Sequence, residues 1–195
     1  MEGKTYETAL PAGYRAAFTV DAKGNKKTVV LLTLASLAIT AAVIALAVLL
    51  IRPTGFLENF SIVKYGITVA ALLAYVVLHE LTHGAAYKLL THQKLTFGFT
   101  LTVAFCGVPQ IWVYRRTALI SLLAPFTVFT VLFGGAALLL PDAWDKLYAA
   151  VLLGVHLGGC AGDLYDTLLF LTRFQDPRTL MQDTGPKQTI YLFER

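Results

Sequence analysis

Long apolar runs separated by short polar connections dominate the sequence. Four runs, at residues 29–51, 62–90, 119–140 and 147–172, each exceed the roughly 20 residues that an α-helix needs to cross the hydrocarbon core of a bilayer. Pro125 lies early in the third run, where it is expected to kink the helix or to mark its true beginning. The pattern predicts four transmembrane helices.

The connection between the second and third runs has a different period. Across residues 96–105, apolar side chains alternate with threonine or small residues, which is the period of two typical of a β-strand. Residues 107–109 predict a turn, and residues 111–114 then return as a second strand. Open sheet edges are not tolerated in lipid, so this hairpin is expected at the interface or against a protein cavity. It either plugs the helical bundle or pairs with an extended peptide substrate.

Polar segments precede the first apolar run and follow the last one. Residues 15–20 predict a short strand near the N-terminus, and residues 189–193 predict another near the C-terminus. The predicted organisation is a cytoplasmic N-terminal segment at 1–28, a four-span membrane domain at 29–172 and a cytoplasmic tail at 173–195. The predicted fold class is an all-α membrane bundle of about four transmembrane helices, with a small β-hairpin between spans two and three.

Composition and charge agree with a membrane protein. Hydrophobic residues make up 56% of the chain and charged residues 14%, whereas a soluble domain carries about 25% charged residues. The net charge of +4 is small and no basic-aromatic patch is present in the sequence, so no nucleic acid partner is expected. Lys and Arg concentrate in the two polar ends and the central connection, which predicts a multi-pass cell-membrane protein with both termini cytoplasmic. Cys106 and Cys160 are too few for a disulfide framework.

The motif His-Glu-Leu-Thr-His occupies residues 79–83, inside the second apolar run. His79 and His83 are four residues apart and therefore lie on one helical face, as two ligands of a single Zn²⁺ ion must. Glu80 is placed to serve as a general base for a zinc-activated water. An ionisable side chain at membrane depth costs about 2.5–3.5 kcal/mol on insertion scales, so a chance cluster is disfavoured.

A catalytic zinc needs a third protein ligand, and the fourth apolar run offers Asp163, Asp166 and His156. At about 1.5 Å per residue, the two histidines of the motif lie about 7–13 Å inside the cytoplasmic edge, the two aspartates about 10–15 Å and His156 about 25 Å. Glycines at 154, 158 and 162 form a ridge that lets helix backbones approach closely. The depths and this ridge favour Asp163 as the third ligand. Asp166 is the second choice, or else it accepts a hydrogen bond from a histidine N–H, and His156 is the least favoured ligand.

Together, the His-Glu-Leu-Thr-His-Gly sequence, the hairpin after that span, and Gly-Asp-Leu-Tyr-Asp at residues 162–166 resemble a bacterial family of membrane proteins described as "putative zincin peptidase". That family is similar in logic to the site-2 class of intramembrane zinc metalloproteases. The resemblance covers most of the chain and implies that His79, His83 and Asp163 are metal ligands and that Glu80 is the catalytic glutamate. Site-2 proteases typically carry Asn-Pro-Asp-Gly or Leu-Asp-Gly at the aspartate, where this chain has Ala-Gly-Asp-Leu.

The sequence therefore predicts an integral-membrane zinc metallopeptidase of the site-2-protease type. It would hydrolyse peptide bonds in or near the membrane, and its partners would be a membrane-embedded or membrane-proximal peptide or protein substrate and the lipid bilayer. The alternative is a non-catalytic zinc-binding membrane protein that acts as a scaffold, sensor or regulator. The carboxylate of Glu80 argues against that alternative, because a structural zinc site has no use for it. A metal transporter is disfavoured because the polar residues concentrate at one depth.

Overall fold

Residues 4–21, 23–59, 61–99 and 104–194 are described by a computed structural model of the chain. Its helices are α1 (Lys26–Ile51), α2 (Phe56–Asn59), α3 (Ile62–Thr91), α4 (Arg115–Leu139), α5 (Ala143–Gly159) and α6 (Ala161–Thr172). Within these residues, α1, α3 and α4 are each long and apolar enough to cross a membrane. The pair α5 and α6 meets the same criterion together, with a bend of 50° at the break between them. Pro125 lies inside α4 and does not mark its beginning.

Seven strands accompany these helices in the described part of the chain. They are β1 (Tyr6–Glu7), β2 (Tyr14–Asp21), β3 (Thr96–Phe99), β4 (Ala104–Gly107), β5 (Trp112–Tyr114), β6 (Leu180–Asp183) and β7 (Lys187–Phe193). Strands β2 and β7 confirm the two predicted near the chain ends. The all-α fold class was wrong, because the polar ends fold into a sheet and the architecture is mixed α/β.

Five of the strands form one antiparallel sheet in the order β1-β5-β6-β7-β2. Its register pairs Tyr6 with Val113, and Thr19 with Thr189. The sheet thus joins the N-terminal segment, the central connection and the C-terminal tail. Partners more than a hundred residues apart explain why local periodicity found strands without finding the sheet.

The predicted hairpin between the second and third spans exists, but its pairing differs from the prediction. Strands β3 and β4 pair antiparallel, with Thr96 opposite Gly107 and Phe99 opposite Ala104. Residues 100–103 of the predicted first strand lie outside the described residues. The predicted return strand is β5, and it pairs with β1 and β6 instead of with the hairpin. Gly107 therefore belongs to a strand and not to the predicted turn.

The chain divides into two compact units, and the first contains all seven strands. This unit comprises Met1–Leu31, Leu78–Pro125 and Asp163–Arg195. Its core lies where the sheet packs against the helices, and its buried members include Tyr87, Leu122, Phe170, Met181 and Ile190. Alternate residues of β7, Ile190 and Leu192, reach this core, and in β6 both Leu180 and Met181 are fully buried.

The second unit, Leu32–Val77 with Phe126–Gly162, is helical. The helix α1 has no buried residue, as expected for a helix that faces lipid. The glycine ridge packs against this helix: a Cβ at Gly158 would overlap the hydroxyl of Thr40 and lie 2.5 Å from the carbonyl oxygen of Ser36. A Cβ at Gly162 would meet no atom of another helix or strand within 4 Å among the described residues. Within this unit the ridge therefore serves the contact with α1, and it was wrong to credit it with bringing Asp163 to the histidines.

Candidate metal centre

The two histidines of the motif face each other one turn apart on α3. Their Nε2 atoms are 3.2 Å apart, and each residue is only 8% exposed. Helical periodicity produces this arrangement directly, since residues four apart lie one above the other on the same face. Both rings therefore lie on one helical face, as their spacing of four residues predicts.

Asp163 completes a group of three side chains that converge on one point. Its Oδ2 atom lies 3.3 Å from Nε2 of His79, and its Oδ1 atom lies 3.4 Å from Nε2 of His83. The break at Cys160 ends α5 and starts a new helix, so Asp163 falls in the first turn of α6. A carboxylate is stabilised there because the N-terminal end of a helix carries partial positive charge.

The spacing of these donor atoms fits zinc. In tetrahedral sites zinc binds histidine nitrogen and carboxylate oxygen at about 2.0–2.2 Å, so neighbouring ligand atoms lie roughly 3.3–3.6 Å apart. The three separations of 3.2, 3.3 and 3.4 Å match that edge length closely. Three lone-pair donors that face one another at this distance repel each other unless a proton or a metal cation lies between them.

A backbone contact fixes which nitrogen of His83 faces this group. Its Nδ1 atom lies 2.8 Å from the carbonyl oxygen of Ser121 on α4. A carbonyl oxygen only accepts, so Nδ1 carries a proton, and in the neutral ring Nε2 then presents its lone pair to the group. Metal-bound histidines are commonly oriented by such a bond through their other ring nitrogen.

Glu80 lies beside the three donors but is held by a different element. One of its carboxylate oxygens lies within 4.8 Å of a ring nitrogen of each histidine in the motif. The carboxylate also accepts a hydrogen bond from the backbone N–H of Cys106 in β4. The strand therefore holds Glu80 next to the site, where it can exchange a proton with a bound water or substrate.

Tyr87 and Asp183 form a second group of buried polar side chains, which the sequence analysis did not identify. The Tyr87 hydroxyl donates to Oδ2 of Asp183 at 2.7 Å, and both residues are buried. Burial raises the pKa of Asp183 to about 6, although hydrogen bonds from Tyr87 and Gly185 oppose the shift. Burial also raises the pKa of the Cys106 thiol to about 12, and the nearby carboxylates of Asp183 and Glu80 add to that shift. In the sequence, this group could have been indicated by the position of Tyr87, one turn after His83 on the same helical face.

The two alternative ligands of the fourth apolar run have other surroundings. His156 belongs to the second unit, where its Nδ1 lies 2.9 Å from the Tyr75 hydroxyl and its Nε2 lies 3.1 Å from the Thr130 hydroxyl. Both ring nitrogens therefore have hydrogen-bond partners within that unit. Asp166 is 3% exposed, and among the described residues its Oδ1 atom has no hydrogen-bond partner. The expected bond from a histidine N–H is not found at that oxygen.

Comparison with known proteins assigns the family. A family model described as "Putative zincin peptidase" matches residues 72–177. The chain belongs to this family. The matched region contains all four residues of the candidate site and ends before Asp183. The family description implies a zinc metallopeptidase at a coarse level. No curated protein and no solved structure matches the chain.

Proposed function

We propose that this zincin-family protein is an integral-membrane zinc metallopeptidase that hydrolyses peptide bonds in or near the bilayer. The observation that carries the proposal is the convergence of His79, His83 and Asp163 at 3.2–3.4 Å, with Glu80 beside them. These three residues would hold zinc, which supplies Lewis acidity that acidifies water and polarises a carbonyl group. A purely structural zinc site would have four protein ligands and no need of an adjacent carboxylate.

The chain's own residues supply the proton transfers and the orientation. Glu80 takes the proton of the attacking water and returns it to the leaving amine, as a general base and then a general acid. The Cys106 N–H holds the carboxylate during both steps. The Ser121 carbonyl keeps the His83 ring in one tautomer, so the geometry of the site does not change with ring flips.

The outer edge of β4 is the proposed position of an extended substrate. In an antiparallel pair, alternate residues direct their N–H and C=O groups to opposite sides of the strand. Because the Cys106 N–H reaches Glu80, the groups of Ala104 point to that same side, away from β3. A substrate that pairs with the main-chain N–H and C=O of Ala104, with the Cys106 N–H left to Glu80, would present its peptide bonds next to Glu80. Substrates with N-methylated peptide bonds at alternate positions test this mode: loss of cleavage at every second position supports it, and uniform tolerance contradicts it.

Four membrane crossings with both termini in the cytoplasm are part of the proposal. Strands that hydrogen-bond to each other lie on one side of a membrane, and the sheet joins β5, before α4, to β6, after α6. An even number of crossings must then separate these strands, which supports counting α4 and the bent pair α5–α6 as two. Of the 16 Lys and Arg residues, all but Arg52, Lys64 and Lys146 lie in the segments on the side of this sheet. The positive-inside rule assigns that side to the cytoplasm.

Purified wild type and Glu80→Gln provide the central test. Both should retain about one zinc per chain by elemental analysis, because Glu80 is not among the three ligands. Wild type should cleave members of a panel of single-span substrates, and Glu80→Gln should be slower by more than about 10²–10⁴-fold. Equal cleavage by both proteins would remove Glu80 from the mechanism. Equal zinc content without cleavage by either would favour the non-catalytic scaffold, sensor or regulator.

A further inference from the structure

The turn between β6 and β7 packs against β4 without spare room. The Val108 N–H donates to the backbone carbonyl oxygen of Asp183 at 2.9 Å. A Cβ added to Gly107 would lie 2.5 Å from the backbone nitrogen of Gly185. A Cβ added to Gly185 would overlap the Phe105 ring, and the φ of +95° at Gly185 is one that side chains rarely allow. The end of β4 and this turn are therefore in close contact, and neither Gly107 nor Gly185 leaves room for a side chain.

The carboxylate of Asp183 organises that turn and ties it to α3. Its Oδ1 atom accepts from the Gly185 N–H at 2.8 Å and from the Gln188 side-chain amide at 3.2 Å. Its Oδ2 atom accepts from the Tyr87 hydroxyl at 2.7 Å, on the helix that carries the histidines. Asp183 is 4% exposed and Tyr87 is 1% exposed, so water does not compete for these bonds.

The same short stretch of β4 holds Glu80. Cys106, whose N–H donates to Glu80, lies between Phe105 and Gly107, the two residues packed on the Asp183 turn. The hairpin also lies close to α3, since a Cβ at Gly84 would be 3.3 Å from the Cys106 sulfur. A shift of β4 would therefore move the donor that fixes the Glu80 carboxylate.

We propose that Asp183 is a positioning residue of the peptidase site: through Tyr87 and the β6–β7 turn it fixes β4, and β4 in turn holds Glu80. The inference rests on the proposed function. It extends the working site into the C-terminal hairpin, which begins after the matched family region ends at residue 177. Asp183 acts through β4 and does not touch the reacting atoms.

Two variants separate positioning from general stability. Tyr87→Phe removes one bond to Asp183 and leaves the carboxylate buried, and Asp183→Asn weakens the turn, because an amide oxygen cannot replace both carboxylate oxygens as acceptors. Tyr14→Phe is the matched control, since it removes a hydroxyl that donates at 3.0 Å to the carbonyl of Arg178 in the same unit. In both test variants the zinc content and KM should match wild type, and kcat should fall by about tenfold to a hundredfold. In the control, zinc content, KM and kcat should all match wild type.

Amide hydrogen exchange gives a readout that does not depend on cleavage. Exchange at residues 104–108 should accelerate in Tyr87→Phe and Asp183→Asn, and exchange at residues 14–18 of β2 and 190–193 of β7, away from the Asp183 turn, should match wild type. Unchanged exchange at 104–108, or an unchanged kcat in a wild type that cleaves, overturns the inference. Loss of zinc or of folding in Tyr87→Phe also overturns it, because the bond would then stabilise the whole unit. A wild type that cleaves nothing overturns the proposed function, and the exchange data still decide whether Asp183 holds β4.

Discussion

The Nδ1 atom of His83 and the carbonyl oxygen of Ser121 lie 2.8 Å apart. This contact links α4 to α3 at His83, whose ring orientation decides which nitrogen faces the candidate metal centre. The start of α4 is itself held within the same unit, since the Arg115 N–H donates to the Thr179 carbonyl and its guanidinium donates to the Phe170 carbonyl. The sheet, α6 and α4 thus jointly orient a side chain of α3.

The three converging side chains should bind zinc, and their removal should release it. His79→Ala, His83→Ala and Asp163→Ala should each lower zinc affinity far more than Asp166→Ala, because only the first three supply atoms of the 3.2–3.4 Å group. Elemental analysis of purified variants after dialysis against a weak chelator measures the retained metal.

His156→Ala is the second control for zinc retention, since both ring nitrogens of His156 are engaged by Tyr75 and Thr130 in the other unit. It should retain zinc at the level of wild type. Full zinc retention in Asp163→Ala would mean that the third ligand is Asp166 or His156 and not Asp163.

The helices and the motif could be predicted from sequence because their signals are local. Helix α3 starts at the predicted Ile62, and its period of 3.6 residues places His79 above His83 without reference to the rest of the chain. The bend between α5 and α6 was not predicted, although Gly158 and Gly159 precede it. The break matters because it places Asp163 in a first helical turn.

The support of the site could not be predicted because it depends on distant pairings. Asp183 lies in a polar segment that resembles a solvated tail, and only the pairing of β6 with β5 and β7 buries it. The strand that holds Glu80 was not predicted as a strand of its own: the predicted first strand, residues 96–105, ends before Cys106, and Gly107 was placed in the turn. Periodicity identifies which residues form a strand, whereas the strand's neighbours follow from the whole fold.

Membrane topology should follow the sheet. Single cysteines placed at Glu58 and Asp142, in an otherwise cysteine-free chain, should react with an impermeant thiol reagent added outside intact cells. A cysteine at Lys187, in the strand β7 of the sheet, should react only after the cells are permeabilised. Labelling of position 142 only from the cytoplasmic side would mean that α4 and α5–α6 do not form two crossings.

The contact between the glycine ridge and α1 should tolerate no added methyl group at Gly158. A Cβ there overlaps Thr40 and Ser36, so Gly158→Ala should destabilise the protein by about 1–3 kcal/mol, as overpacking does. Gly134→Ala is the matched control, because in the described part of the chain a Cβ at that helical glycine has no neighbour within 4 Å. It should be neutral or stabilising by up to about 1 kcal/mol, since alanine favours helix. Thermal unfolding midpoints in detergent compare them, and equal midpoints would contradict the packing.

The Cys106 thiol should be unreactive in the folded protein, with a defined pH dependence. Its pKa is raised to about 12, chiefly by burial, and the thiolate is the reactive form. The thiolate fraction then grows about tenfold per pH unit between pH 7 and 9, and so should the alkylation rate, because both pH values lie far below the pKa.

The rate is measured in a Cys160→Ala variant, in which Cys106 is the one remaining cysteine of the sequence. Mass spectrometry should find native alkylation by iodoacetamide roughly a hundredfold to a thousandfold slower than in denaturant. Equal native and denatured rates at pH 7.5 would mean that β4 does not bury this residue against α3, and the hydrogen bond from Cys106 to Glu80 would lose its support.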